Sequence, residues 1–323
     1  MKKLKNISLL LFAVFTIYSC SDEDTETPQE NPQTLNIVET AQATADLSSL
    51  VAAVVEANLV ATLSGPGPFT VLAPTNEAFA AFLSDNGWAD VTEVPDEALE
   101  QVLLNHVISG NVASTDLTST VSGYTNTLAT GAGNNSMSIY YNTEDGVKFN
   151  NVSSVITADV SASNGTVHIV DKVIGLPTVV TFATADPNFS ILVSALTRES
   201  SYTYVETLST ANGTDPAPFT VFAPTNDAFI GLLEELKLES LADVKTETLT
   251  STLNTHVVAG ANVQSSGLTD GMSIETLGGM LTANVTGGAT LTDSKGRVSN
   301  IVATDVQASN GVIHAIDKVV LEL

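Results

Sequence analysis

The chain has 323 residues, 43% of them hydrophobic and only 6% aromatic, with 36 acidic against 11 basic residues and a net charge of −25. That length suits two ordinary domains, each large enough to bury an aliphatic core without staples. So acidic a surface repels phosphate backbones and anionic headgroups, which excludes nucleic acid as a partner.

Met1–Asn6 is basic, Ile7–Tyr18 is apolar, and Cys20 follows at once. The apolar run is too short to span a bilayer, which takes about 20 residues, and fits the core of a secretory signal over 1–19. Ile17-Tyr18-Ser19-Cys20 resembles a bacterial lipobox, with Tyr18 standing where a small residue is commoner. Cys20 is the only cysteine, so an internal disulfide is excluded, and acylation of its thiol removes the liability of a free one. Ser21-Asp22-Glu23-Asp24 resembles the surface-export signal of Bacteroidetes lipoproteins. Residues 20–34 read as an acidic, disordered tether; fully extended, Ser21–Gln33 reaches about 45 Å. The expected location is the outer membrane, facing outward, with the membrane touched through the N-terminal lipid alone.

Downstream, Leu50, Val51, Val54, Val55 and Leu59 recur at helical spacing, which predicts a helix over Ser48–Leu59. Phe69–Leu72 reads as a strand stopped by Pro74, followed by a helix Glu77–Leu83 capped by Thr75 or Asn76. Pro95 suits the first position of another helix, on which Leu99, Val102, Leu103 and His106 form one stripe. Val152–Val160 and Thr166–Ile174 read as strands around Asn164-Gly165, a favoured two-residue hairpin turn.

The order then repeats. Pro68–Phe79 returns as Pro218–Phe229 with ten of twelve positions identical, and Ala162–Ile174 returns as Ala308–Val320 with eight of thirteen. His106 corresponds to His256 and His168 to His314, at offsets of 150 and 146 residues. So long a period means tandem domains, 35–176 and 177–323, and not a solenoid. Helices followed by strands in each copy make the fold class α+β. The second copy gains about eight residues around Tyr202–Pro218, read as a longer loop in which Tyr202 and Tyr204 share one side of an extended segment.

These blocks resemble the fasciclin (FAS1) domain. Its first motif looks like Thr70–Phe79, its second like Asn164–His168 with the following strand, and its helix-end histidine motif like Leu104-Asn105-His106-Val107. The resemblance covers about Leu35–Leu323 and implies, in each copy, a β-wedge with helices packed against it. It implies extracellular adhesion or matrix binding without catalysis. Animal members use an Asp-Ile pair just before the second motif; here Asp159-Val160 and Asp305-Val306 stand there. The residues alone suggest a plainer role for these aspartates, at a strand end satisfying turn amides.

The chemistry agrees with a binding module. The four histidines fall two per copy, 62 or 58 residues apart, without the close spacing of a zinc site, and read as structural, with no metal or cofactor. Gly131-Ala132-Gly133 lacks the rest of a dinucleotide loop, and Gly271–Glu275 ends in Glu where a nucleophile elbow needs Gly. The expected partner is an extracellular protein or glycan. The alternative is a lipoprotein that captures glycans or small ligands, which would need a concave aromatic-lined site. Sequence divergence points to the second copy as the main contact, through Tyr202–Pro218, its basic bias at Lys295 and Arg297, and the Asp305-Val306 edge.

Overall fold

The computed structural model describes residues 34–321. Cys20, the leader 1–19 and the tether up to residue 33 lie outside them.

The first copy opens with α1 (Ile37–Ala43), capped reciprocally by Asn36 and Glu39. α2 (Ser48–Glu56) buries Leu50, Ala53 and Val54, and stops short of Leu59 because Asn58 turns left-handed. α3 (Val60–Leu63) leads into β1 (Phe69–Pro74). α4 (Asn76–Asp85) is capped by Thr75, whose hydroxyl accepts from the Ala78 N–H at 3.1 Å. α5 (Asp96–Leu104) carries Asp96 and Glu97 in its first turn, where helix-end amides favour negative charge. Pro95 stands one place earlier than expected, as the cap itself. β2 (Val107–Ser109), α6 (Ser114–Leu117), β3 (Ser122–Thr130), β4 (Ser136–Asn142), β5 (Lys148–Phe149), β6 (Ser153–Ala162) and β7 (Gly165–Val170) complete the copy.

The second copy repeats this order as α7 (Val179–Ala185), α8 (Ser190–Leu196), α9 (Tyr204–Leu208), β8 (Phe219–Pro224), α10 (Asn226–Leu236), α11 (Thr246–Thr255) and β9 (Val257–Ala259). A 3₁₀ turn, Ser265–Gly267, replaces α6. Then come β10 (Met272–Glu275), β11 (Met280–Asn284), β12 (Thr290–Thr292), β13 (Val298–Ala308) and β14 (Gly311–Ile316).

In both copies the first strand lies between two others, antiparallel to the short strand after the histidine and parallel to the last strand. Strand alternation then fills two cores. Val71 and Ala73 belong to a core shared with the helices, whereas Leu72 joins Ile108, Ile139, Phe149 and Val170 in a second core. The strands of the first copy close into a barrel. Those of the second form an open sheet ending in β10 and β9, bridged where the Leu277 N–H donates to the Val257 carbonyl at 2.8 Å.

The hairpin differs from expectation. Ala162 pairs with Gly165, so the two turn residues are Ser163 and Asn164, and Gly165 already belongs to β7. The glycine is needed for space: a Cβ on it would lie 1.9 Å from the Phe69 carbonyl oxygen of β1. Asn164 acts through its side chain, accepting from the Ile37 N–H and donating to the carbonyls of Leu63 and Gly65.

The copies share a junction. Tyr124 on β3 and Tyr140 on β4 lie 5.1 Å apart, and Phe182 of α7 packs edge-on against Tyr124 at 5.7 Å. β4 lies along β13, where the Gln307 N–H donates to the Ser138 hydroxyl at 3.0 Å. The Ala132 N–H donates to the Ser309 carbonyl at 3.0 Å.

Candidate functional site

The aspartates of the Asp-Val pairs sit on bulges within the strand and not at its end. The β6–β7 ladder slips between Val155 and Thr157 and again between Thr157 and Val160. Asp159 lies in the second slip with φ +58, a conformation that aspartate tolerates when its short side chain bonds locally. Here it bonds Ser114, the first residue of α6. One carboxylate oxygen accepts from the Ser114 N–H at 2.8 Å and the other from its hydroxyl at 2.5 Å. The Ser114 hydroxyl first, then its N–H, holds the Asp159 carboxyl below the usual range.

A histidine supports the bulge from behind. The Asp159 N–H donates to His168 Nδ1 at 3.2 Å, and His168 Nε2 donates to the Val112 carbonyl at 2.9 Å. One nitrogen accepts and the other donates, which is the neutral imidazole. The second copy repeats the set. Ser265 bonds both carboxylate oxygens of Asp305, the Asp305 N–H donates to His314 Nδ1 at 3.3 Å, and His314 Nε2 donates to the Val263 carbonyl at 2.9 Å. Burial lowers the His314 pKa, and Phe222 stacks on its ring.

His106 and His256 close the helix ends. His106 Nδ1 donates to the Val102 carbonyl at 2.7 Å and its Nε2 accepts from the Ile174 N–H at 2.9 Å. His256 does the same with Thr252 and Val320. Burial pushes each of these two imidazoles down to about 4. Among the described residues no group of three His, Cys, Asp or Glu is placed to hold a metal ion.

The two bulges differ in access. Asp159 is exposed and Val160 half-buried, whereas Asp305 is half-buried and Val306 only 8% exposed. Val306 therefore does not form the free edge expected of it, because β13 at this point lies against β4 of the first copy. Tyr202 and Tyr204 need a similar correction: they do not lie on an extended segment. Tyr204 starts α9, the rings meet edge to face at 5.1 Å, and their hydroxyls bond Thr250 and Asn254 of α11. The basic bias is also partly internal. Arg198 donates to the carbonyls of Leu241 and Val244, and Arg297 pairs with Glu235 at 3.0 Å, while Lys295 is exposed.

Sequence reasoning missed Ser114 and Ser265, although each follows its helix-end histidine by eight or nine residues and the pair could have been aligned. It also missed the junction residues Tyr124, Ser138 and Phe182, whose partners lie far away in sequence. A hollow of about 720 Å³ opens between the copies, lined by Gln101, Thr130, Asn134, Thr178 and Asn212 among others, and no aromatic ring faces it.

Comparison with known proteins gives matches along most of the chain. A family model described as the fasciclin domain matches residues 45–177 and again 187–322. Protein sll1483 of Synechocystis sp. is 39% identical over 142 residues, covering 43% of this chain and 73% of that protein. The transforming growth factor-beta-induced protein ig-h3 of Sus scrofa is 29% identical over 262 residues, which cover 80% of this chain and 35% of that protein. Human periostin is 28% identical over 271 residues, covering 80% of this chain and 29% of periostin. The chain thus spans about a third of these two mammalian relatives. A solved FAS1 domain pair from the insect cell adhesion molecule Fasciclin I aligns with a TM-score of 0.49 at 21% identity, covering 84% of this chain and 92% of that one.

Proposed function

The chain belongs to the fasciclin domain family, and on that premise we propose that it is a cell-surface adhesion or matrix-interaction lipoprotein, held at the outer membrane through Cys20 and contacting an extracellular protein or glycan along the Asp159-Val160 edge of its first copy. One observation carries this reading. Asp159-Val160-Ser161-Ala162-Ser163 and Asp305-Val306-Gln307-Ala308-Ser309 share four of five residues and the same bulge. The second of these edges is covered by the first copy, whereas among the described residues Asp159 and Ser161 of the first edge are exposed. A backbone edge held in shape by Ser114 and His168 needs no induced fit to receive a partner.

The aromatic-free hollow between the copies weighs against small-ligand capture, which draws on stacking and concave apolar walls. The test is retention of the ectodomain, residues 21–323, on biofilm matrix prepared from the producing cells. Ser161→Lys, at an exposed position of the same edge, should cut retention about tenfold by placing an unpaired charge at the contact. Unchanged retention of that variant removes the Asp159-Val160 edge from the reading, and no retention of the parent removes adhesion to that matrix.

A further inference from the structure

Four asparagines of the chain are followed by glycine: Asn86, Asn164, Asn212 and Asn310. The pair is chemically special, because glycine has no side chain to shield its backbone nitrogen from the carboxamide carbon one residue earlier. Three of the four pairs are tied down. The Asn164 carboxamide donates to the carbonyls of Leu63 and Gly65, and that of Asn310 to the carbonyls of Leu208 and Thr210, while each oxygen accepts from a backbone N–H. Their glycines are wedged against a neighbouring strand, where a Cβ would lie 1.9 Å from the Phe69 carbonyl oxygen for Gly165 and 2.3 Å from that of Phe219 for Gly311. The Asn86 carboxamide donates to the Phe82 carbonyl at 2.8 Å, and the Gly87 N–H to the Ser84 carbonyl at 3.1 Å.

Asn212-Gly213 differs on each of these counts. Both residues are exposed, on the loop between α9 and β8. The turn is closed by the Thr214 N–H, which donates to the Ala211 carbonyl at 3.1 Å. Among the described residues neither the Asn212 carboxamide nor the Gly213 N–H has a hydrogen-bond partner. Gly213 turns at φ +83, and no atom lies within 4 Å of where its Cβ would stand. The nitrogen is therefore open to approach, on a residue with the widest backbone freedom.

We propose that Asn212 is a site of spontaneous covalent modification, at which the folded chain loses ammonia and gains a carboxylate while the other three Asn-Gly pairs stay intact. The Gly213 nitrogen bonds to Asn212 Cγ, the Cγ–Nδ2 bond breaks, and ammonia leaves with the proton that the nitrogen gives up. Water then opens the cyclic imide at either carbonyl, giving aspartate or isoaspartate. No oxidant or reductant takes part, and each product carries one new negative charge. The place makes the change matter. Asn212 lines the hollow between the copies, as Glu97 of the first copy does, so the hollow acquires a second carboxylate as the protein ages. In the isoaspartyl product the main chain also runs through the former side chain. That lengthens the loop close to Thr210, whose carbonyl the Asn310 carboxamide holds at 2.8 Å.

The test separates the fold's choice of site from the sequence's. The ectodomain, residues 21–323, is held at mildly alkaline pH in water enriched in heavy oxygen, digested at intervals and followed by mass spectrometry, with fragmentation assigning each labelled residue. Asn212 should convert first, predominantly to isoaspartate carrying the heavy label. Asn86, Asn164 and Asn310 should convert at least about tenfold more slowly, because each has to open locally before its glycine nitrogen can attack. In urea, where no pair is held, all four should convert at similar rates. Gly213→Ala, which shields the nitrogen, should slow Asn212 several-fold and leave the other three unchanged. An Asn212 that stays intact in the folded protein while the urea sample converts overturns the proposal, and so does a folded protein in which all four convert alike.

Discussion

The Tyr124 hydroxyl donates to the Asp186 carboxylate at 2.9 Å, joining β3 of the first copy to the residue that ends α7 of the second. Asp186 is 5% exposed, and burial, with the neighbouring carboxylate, raises the Tyr124 pKa, so the phenol stays a donor at any physiological pH. The other Asp186 oxygen accepts from the Asn188 N–H at 3.0 Å. Tyr124→Phe keeps the ring packing on Phe182 and leaves one buried carboxylate oxygen without its donor. The expected loss is about 2 kcal/mol, read as a lower midpoint in urea unfolding, with the two copies still melting together in the parent. A second, earlier transition in the variant would show that this bond couples the copies.

Acid should weaken the protein through His106 and His256. Both imidazoles lie near 4 when folded, against an ordinary value of 6.5, because burial disfavours the charged form. As the pH falls below about 6.5 the unfolded chain takes up protons that the folded chain refuses. Stability is therefore full above that value and is lost between about 6.5 and 4, by about 3 kcal/mol per histidine. Urea midpoints measured at pH 7.5 and pH 5 report this slope. His106→Gln combined with His256→Gln should lower the midpoint at pH 7.5 and flatten the slope above pH 5.

Gly165→Ala should disrupt the first copy. Its Cβ would lie 1.9 Å from the Phe69 carbonyl oxygen, and backbone on both sides of the parallel β1–β7 pair would have to separate. Gly311→Ala meets Phe219 at 2.3 Å in the second copy. Each should cost at least about 3 kcal/mol, whereas Gly87→Ala, with no atom within 4 Å but φ +75, should cost about 1 kcal/mol. Circular dichroism melting of the three variants separates steric collision from backbone strain.

Cys20→Ala should move the protein from the membrane fraction to the soluble fraction, and labelling with a fatty-acid analogue should be lost with it. Retention of the variant in the membrane would remove the lipid anchor from the proposed function. Neutralising Asp22, Glu23 and Asp24 should leave labelling intact and reduce cleavage by protease added to whole cells.

What could be read from the sequence was what depends on neighbours. The helix stripe of Leu99, Val102 and Leu103, the Thr75 cap and the strand after Pro68 follow from local spacing and capping chemistry, and the internal repeat multiplied each signal by two. Asn164-Gly165 marked a hairpin correctly but misled on its turn residues. The glycine answers to a parallel strand about 100 residues away, and no local rule registers that approach. Tyr202 and Tyr204 look like an extended alternating pair until Thr203 is seen to precede a helix whose aromatic end rests on α11. The access of each Asp-Val edge was least legible, since Val160 and Val306 differ only in what the rest of the molecule lays against them.

The seam in the second copy has a mechanical consequence. A closed ring of strands shares a pull among all its ladders, whereas an open sheet concentrates it where the edges meet. Between β9 and β10 that meeting runs through the bond from Leu277 to Val257. Load drawn across both copies would open this seam in the second before the closed ladders of the first give way.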